Sequence, residues 1–384
     1  MAAFGRPDSH GNVKFIGAKT AARAARSSLG MAGVSRLSHC GPAPSPTRHV
    51  TGDTSNGKRI SSMVSLKQSL AATALMALSA LGAAAVEVDL NLPVYEKRQG
   101  VGGNLDSIGS DTLNNLMTYW AESFRAIYPN VHIQIEGKGS STAPPALISG
   151  TAQLGPMSRS MKSSEIDAFE TKYGYKPLAI GVALDALAVY VNKDNPLESI
   201  SFSQIDGVFS KTRKGGAPGD IKTWGELGLT GDWAARPMSL YGRNSASGTY
   251  AYFKEHALFK GDFKDTVKEQ PGSASVVMGI AEDRLGIGYS GVGYVTSGVK
   301  SLAVSEKEGA EAYAPTYENV LSGKYPLGRL LYVYVAKKPG EPLTPITEEF
   351  LRFVLSRAGQ EIAVKDGYLP LPAAVVAKQL DALK

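Results

Sequence analysis

Residues 177–191 read PLAIGVALDALAVYV, a largely apolar, extended run that is long enough to leave one sheet and enter another. A matching run, LLYVYV at 330–335, recurs further along the chain. Two such crossings predict a discontinuous first lobe, residues 86–185 and 329–384, with a second lobe, residues 186–328, inserted between them. The two connections act as a hinge, and the cleft between the lobes becomes the natural place for a ligand. The expected class is α/β, with mixed sheets flanked by helices in two lobes.

The flanking sequence agrees. Leu113, Leu116, Met117, Trp120, Phe124 and Ile127 fall on one helix face, with Ser110 or Asp111 placed to cap it and Pro129-Asn130 to end it. Val131, Ile133 and Ile135 alternate as a half-buried strand, followed by a glycine-serine loop, a short helix to Ile148 and a strand ending near Met157. That order reads as parallel α/β units. Trp224, in DIKTWGEL, reads as core.

The chain has 384 residues and a formal charge of +6. Residues 1–85 hold ten basic and two acidic residues, so of 41 and 35 overall, 31 and 33 remain, and the body carries −2. A polyanion is held by clustered Lys and Arg, so no nucleic-acid partner is expected. From Met63 the sequence MVSLKQSLAATALMALSALGAAA has one Lys, an apolar run and a small-residue ending, the pattern of a cleaved secretory leader at 63–85. The stretch 1–62 is rich in Arg, Ser, Gly and Ala without hydrophobic periodicity, and is expected to be disordered or upstream of the true start at Met63. The only cysteine, Cys40, lies in that stretch, so the body has no disulfide, thiolate metal site or lipid-anchoring cysteine, and a protein free in the space outside the inner membrane is expected.

Three segments place Gly and hydroxyl residues where a loop enters a helix: GSDTL at 109–113, GSST at 139–142 and RNSASGT at 243–249. Helix N-termini present unpaired N–H groups and the positive end of the dipole, hydroxyls add adjustable donors, and Arg243 adds a permanently charged fork. Together they would make a site for a small oxyanion. Each segment alone is an ordinary cap.

Over residues 106–372 the chain resembles the phosphate-binding substrate-binding proteins of bacterial phosphate ABC transporters. The resemblance is carried by GSDTL, GKGSST at 137–142, YGRNSASGTY at 241–250, GIGYSGVGY at 286–294 and GQEIAVKDGYLPLP at 359–372. It implies the type II periplasmic-binding-protein fold, inorganic phosphate held in a dry cleft, and delivery to permease and ATPase subunits at the membrane. Carried over position by position, the ligand set would be Thr112 and the Leu113 N–H with Ser110, then Ser140 with Ser141, then Arg243, Ser247, the Gly248 N–H and Thr249. Where many members have an aspartate, this chain has Ser158 followed by Arg159, and it has Ser245 where an acid often orients the arginine. Asp111 is the obvious substitute for the missing cleft acid, able to accept a hydrogen bond from a protonated phosphate oxygen and to repel sulfate; its ordinary use would be as an N-cap. Arg159 would add a second cation or pair with a surface carboxylate.

Catalytic readings have less support. GKGSST lacks the P-loop spacing, GYSGV misses the last glycine of a nucleophile elbow, and the body keeps only His132 and His256. The expectation is a monomeric binding protein without catalytic residues, metal or cofactor. The competing readings are a binder or sensor of another tetrahedral oxyanion, and a secreted phosphate-ester hydrolase using Ser247 or Thr112 as nucleophile.

Overall fold

The computed structural model of the chain describes residues 86–384; the upstream stretch and leader expected over 1–85 lie outside them. The first units are β1 (Gly103–Ile108), α1 (Asn114–Ile127), β2 (Val131–Glu136), α2 (Ala143–Ser149), β3 (Gly155–Met157) and α3 (Ser163–Tyr173). β1 and β2 are parallel, from Gly103 against Val131 to Ile108 against Glu136. α1 buries Leu116, Met117, Trp120, Ala121 and Phe124, the periodic face expected from the sequence. Prolines occupy the first turn of α2, where the missing N–H costs nothing, and Gly150 closes that helix in the left-handed region.

The apolar run at 177–191 forms one strand, β4 (Leu178–Asn192). Next come β5 (Ser199–Ser201), α4 (Phe202–Phe209), β6 (Ser239–Arg243), α5 (Gly248–His256), β7 (Lys268–Gln270), α6 (Ser273–Glu282), β8 (Gly286–Gly291), β9 (Val299–Ser301), β10 (Ala303–Ser305) and α7 (Tyr317–Leu321). The chain ends with β11 (Gly328–Val335), α8 (Pro345–Val354), α9 (Arg357–Lys365) and α10 (Ala373–Ala382). β4 pairs antiparallel with β11 from Leu178 to Ala186, then with β8 from Leu187 to Val191, changing partner in mid-strand. The ladder β3-β11-β4-β8-β6-β7 is therefore continuous and mixed, with β6 parallel to both β7 and β8. The return connection is made where the Leu187 N–H meets the Leu327 carbonyl at 3.0 Å, and β11 begins one residue later.

Neither Ser110 nor Asp111 caps α1, because a 3-10 turn at Asp111–Leu113 precedes the helix and no side-chain cap bond is made there. Both side chains are used elsewhere, as shown below. Trp224 is fully buried and packs edge-on against Trp233, as core.

Asp366, after α9, is half-buried beside Gly293, and its Oδ2 is enclosed without a hydrogen-bond partner among the described residues. Burial pushes this carboxyl up to about 7. An acid whose folded-state pKa is raised binds more protons folded than unfolded, so its contribution to stability is present at low pH and is lost as the pH rises from the ordinary carboxylate range through about 7. Asp366→Asn should therefore exceed the parent's melting temperature by more at pH 8 than at pH 5. Equal melting temperatures at both pH values would remove Asp366 as a titrating group.

Candidate functional site

The loops after β1, β2, β3 and β6 leave the carboxyl ends of their strands, the edge at which open α/β sheets bind ligands. They bring together Ser110, Thr112, Ser140, Ser158, Arg243, Ser247, Gly248 and Thr249, all of them buried. Ser110 Oγ donates to Ser158 Oγ at 3.1 Å, Ser140 Oγ lies 3.3 Å from the same oxygen, and the Ser158 N–H donates to Ser140 Oγ at 3.0 Å. Thr112 and Thr249 hydroxyls meet at 2.9 Å. The Ser141 N–H donates to the Ala246 carbonyl at 3.1 Å, which ties the loop after β2 to the loop before α5.

Two glycines make this approach feasible. Gly139 has φ 113°, in the region L side chains avoid, and a Cβ there would stand 2.6 Å from the Ala246 carbonyl oxygen. A Cβ on Gly248 would stand 2.2 Å from Ser140 Oγ and 2.6 Å from Ser158 Oγ. The start of α5 can reach those hydroxyls only as bare backbone. Ser247 caps α5, its oxygen accepting from the Thr249 and Tyr250 N–H groups, which leaves its own proton for a ligand.

Arg243, the last residue of β6, is 1% exposed. Its Nη1 donates to Ser273 Oγ at 2.6 Å, and its Nη2 donates to the Pro271 carbonyl and faces Asp111 Oδ2, both at 3.1 Å. The buried Nε has no acceptor among the described residues. Burial pulls the guanidinium down from its ordinary value and Asp111 opposes that. Asp111 Oδ2 also accepts the Ser273 N–H at 2.8 Å. This carboxylate therefore orients Arg243, the task for which Ser245 carries no acid. Asp111→Asn should weaken anion binding about tenfold by loosening that grip, with the ratio of phosphate to sulfate affinity unchanged. A collapse of that ratio in titrations with both anions would instead make Asp111 the discriminating acceptor.

Arg159 is spoken for. Its two Nη atoms donate to the two carboxylate oxygens of Glu165, each at 2.7 Å, and Nη2 also reaches Ser141 Oγ at 3.3 Å. Burial works against the Glu165 charge, but bonds from Arg159 and the Lys162 N–H outweigh it and hold the acid below its usual range. The Arg159 charge is thus paired with Glu165, while its buried Nε has no acceptor among the described residues, and Ser141, which only accepts from Arg159, keeps its own proton. Leu113 is wholly buried in the apolar core, so only its backbone faces the question of a ligand.

Sequence reasoning passed over three neighbours. Ser273 braces Arg243, and Arg329 and Asp185 form a buried pair beneath Ser158 and Thr249. The available signal for the last two was a single charge inside the first apolar run and another immediately before the second.

Fold and site together define a binding protein of the two-lobed type II class, and residues 96–358 match the model of the PBP superfamily domain. The phosphate-binding protein PstS of Pseudomonas aeruginosa is 57% identical over 319 residues, 83% of this chain and 99% of the relative. Protein SphX of Synechococcus elongatus is 30% identical over 269 residues, 69% of this chain and 77% of the relative. A solved phosphate ABC transporter substrate-binding protein of Clostridium perfringens, with phosphate bound, is 26% identical at a TM-score of 0.58, covering 70% of this chain and all of that one. The chain belongs to the family of phosphate-binding, substrate-binding proteins of phosphate ABC transporters.

Proposed function

We propose that residues 86–384 capture inorganic phosphate outside the cytoplasmic membrane and deliver it, as a monomer, to the permease and ATPase subunits of an ABC importer. The lobes are residues 86–185 with 329–384, and residues 186–328; the leader at 63–85 is removed near Ala85. The observation that carries the reading is the convergence of buried hydroxyls from four loops on either side of Asp111, which in turn holds the buried Arg243 with its Nε unpaired. A buried donor without an acceptor is costly in a folded protein, and a tetrahedral oxyanion supplies acceptors in the number and spread this site lacks. The hydroxyls of Ser110, Thr112, Ser140, Ser158, Ser247 and Thr249 both donate and accept, so they can serve a phosphate that carries a proton as well as one that does not.

The hydrolase reading has less support from the geometry. Ser247 Oγ accepts from backbone N–H groups and Thr112 Oγ1 from or to Thr249, so neither has a histidine or carboxylate bonded to it. His256 lies at the far end of α5, against Tyr252. A melting-temperature panel tests the ligand: phosphate at about 100 times its dissociation constant adds about 2.7 kcal/mol, an upward shift on the order of 5 °C. Sulfate and aryl phosphate should leave the melting temperature alone, and aryl phosphate should not turn over. A shift with sulfate and none with phosphate would overturn the assignment.

A further inference from the structure

One charged pair lies in the sheet where apolar residues would pack: Asp185, in the middle of β4, and Arg329, in β11. They stand opposite each other in the antiparallel register and are 0% and 3% exposed. Arg329 Nε and Nη2 both donate to Asp185 Oδ2, at 2.8 and 2.6 Å, while Asp185 Oδ1 accepts the Val292 N–H at 3.0 Å. A buried ion pair is seldom more stabilising than apolar side chains of the same volume. Stability alone is a poor reason for this one.

The rest of the guanidinium reaches the anion site. Nη1 donates to the Ser158 carbonyl and Nη2 to Thr249 Oγ1, each at 2.9 Å. The Arg329 guanidinium also lies over the Tyr252 ring, 5.2 Å from its centroid, and the Tyr252 hydroxyl donates to the Gly328 carbonyl at 2.8 Å. The first turns of α5 are thus seated on the start of β11.

We infer that Arg329 is a positioning residue of the oxyanion site, a second cation that makes Thr249 a donor toward the ligand and fixes the Ser158 loop, with Asp185 as its counter-ion. A hydroxyl has one proton and two lone pairs. With Arg329 filling a lone pair of Thr249 Oγ1, the Thr249 proton is directed to its other side, where Thr112 Oγ1 lies at 2.9 Å. An anion entering between those hydroxyls takes that proton as a hydrogen bond. The Arg329 charge attracts the anion and the Asp185 charge repels it, so removing one or the other should move affinity in opposite directions.

The inference rests on the phosphate reading, so wild-type phosphate binding is titrated first; its absence would overturn that reading, whereas the variants below address Arg329 alone. Calorimetry with inorganic phosphate is then run on Arg329→Gln, Arg329→Lys, Asp185→Asn and the double variant Asp185→Asn/Arg329→Gln. Arg329→Gln should bind roughly 30-fold more weakly, Arg329→Lys should recover part of the loss, and Asp185→Asn should bind several-fold more tightly. The double variant has no buried charge to strand, so it should fold, and it should bind more weakly than wild type but less weakly than Arg329→Gln, which keeps the uncompensated Asp185 charge. Wild-type affinity in Arg329→Gln, or in the double variant if the single one does not fold, would overturn the proposal. So would an equal weakening in Asp185→Asn and Arg329→Gln, the mark of a purely structural pair.

Discussion

Replacing Arg243 by alanine is expected to abolish tight phosphate binding while the protein stays folded. The side chain is a buried guanidinium held from one side by Asp111, Ser273 and the Pro271 carbonyl, with Nε unpaired. Two charge-assisted hydrogen bonds to an anion, at roughly 1.5 to 3 kcal/mol each, correspond to a factor on the order of 10² to 10⁴ in dissociation constant. A second loss has the same sign: without Arg243 the Asp111 carboxylate keeps only the Ser273 N–H and faces the anion as a like charge. Circular dichroism separates this from misfolding. An unchanged dissociation constant in a folded Arg243→Ala protein would remove the arginine from the site.

The second large effect is expected from a single methyl group. Gly248→Ala puts a Cβ 2.2 Å from Ser140 Oγ and 2.6 Å from Ser158 Oγ, distances no real Cβ tolerates. Ser140 Oγ cannot swing away cheaply, because it accepts the Ser158 N–H at 3.0 Å. The start of α5 must therefore stand off, and Thr249, the Ser247 hydroxyl and the Gly248 N–H withdraw with it. Phosphate binding should fall by more than about 100-fold, since several hydrogen bonds are lost together. Because α5 lies against the Ser140 loop in this structure, the clash should also lower the melting temperature without phosphate, and the phosphate-induced rise should vanish. A variant that keeps the full rise would show that the approach of α5 is not needed for binding.

Much of this arrangement could be read from the sequence, and the failures have definite causes. The face of α1 and the change of sheet within PLAIGVALDALAVYV follow from residue spacing and run length, which are local properties. The three hydroxyl-bearing loops were legible for the same reason: each is a strand end running into a helix start. Partnerships were not legible. Asp111 was available as a cap or as a ligand, but its partner Arg243 stands at the end of a strand far along the chain, and only the fold brings them within 3.1 Å. Arg159 was open as a second cation or as the partner of a carboxylate, because local spacing does not say which way the arginine turns; it pairs with Glu165 in the first turn of α3. Asp185 and Arg329 become a pair only through the register of β4 on β11, where a slip of one residue would turn the arginine to the other face.

One phosphate ion per chain is expected at this site. Isothermal titration of residues 86–384 with inorganic phosphate, followed by sulfate under the same conditions, tests it most directly. One saturable phosphate site per chain, lost in Arg243→Ala and matched by no comparable heat from sulfate, is the predicted result. No saturable phosphate heat, or tighter binding of sulfate than of phosphate, would contradict it.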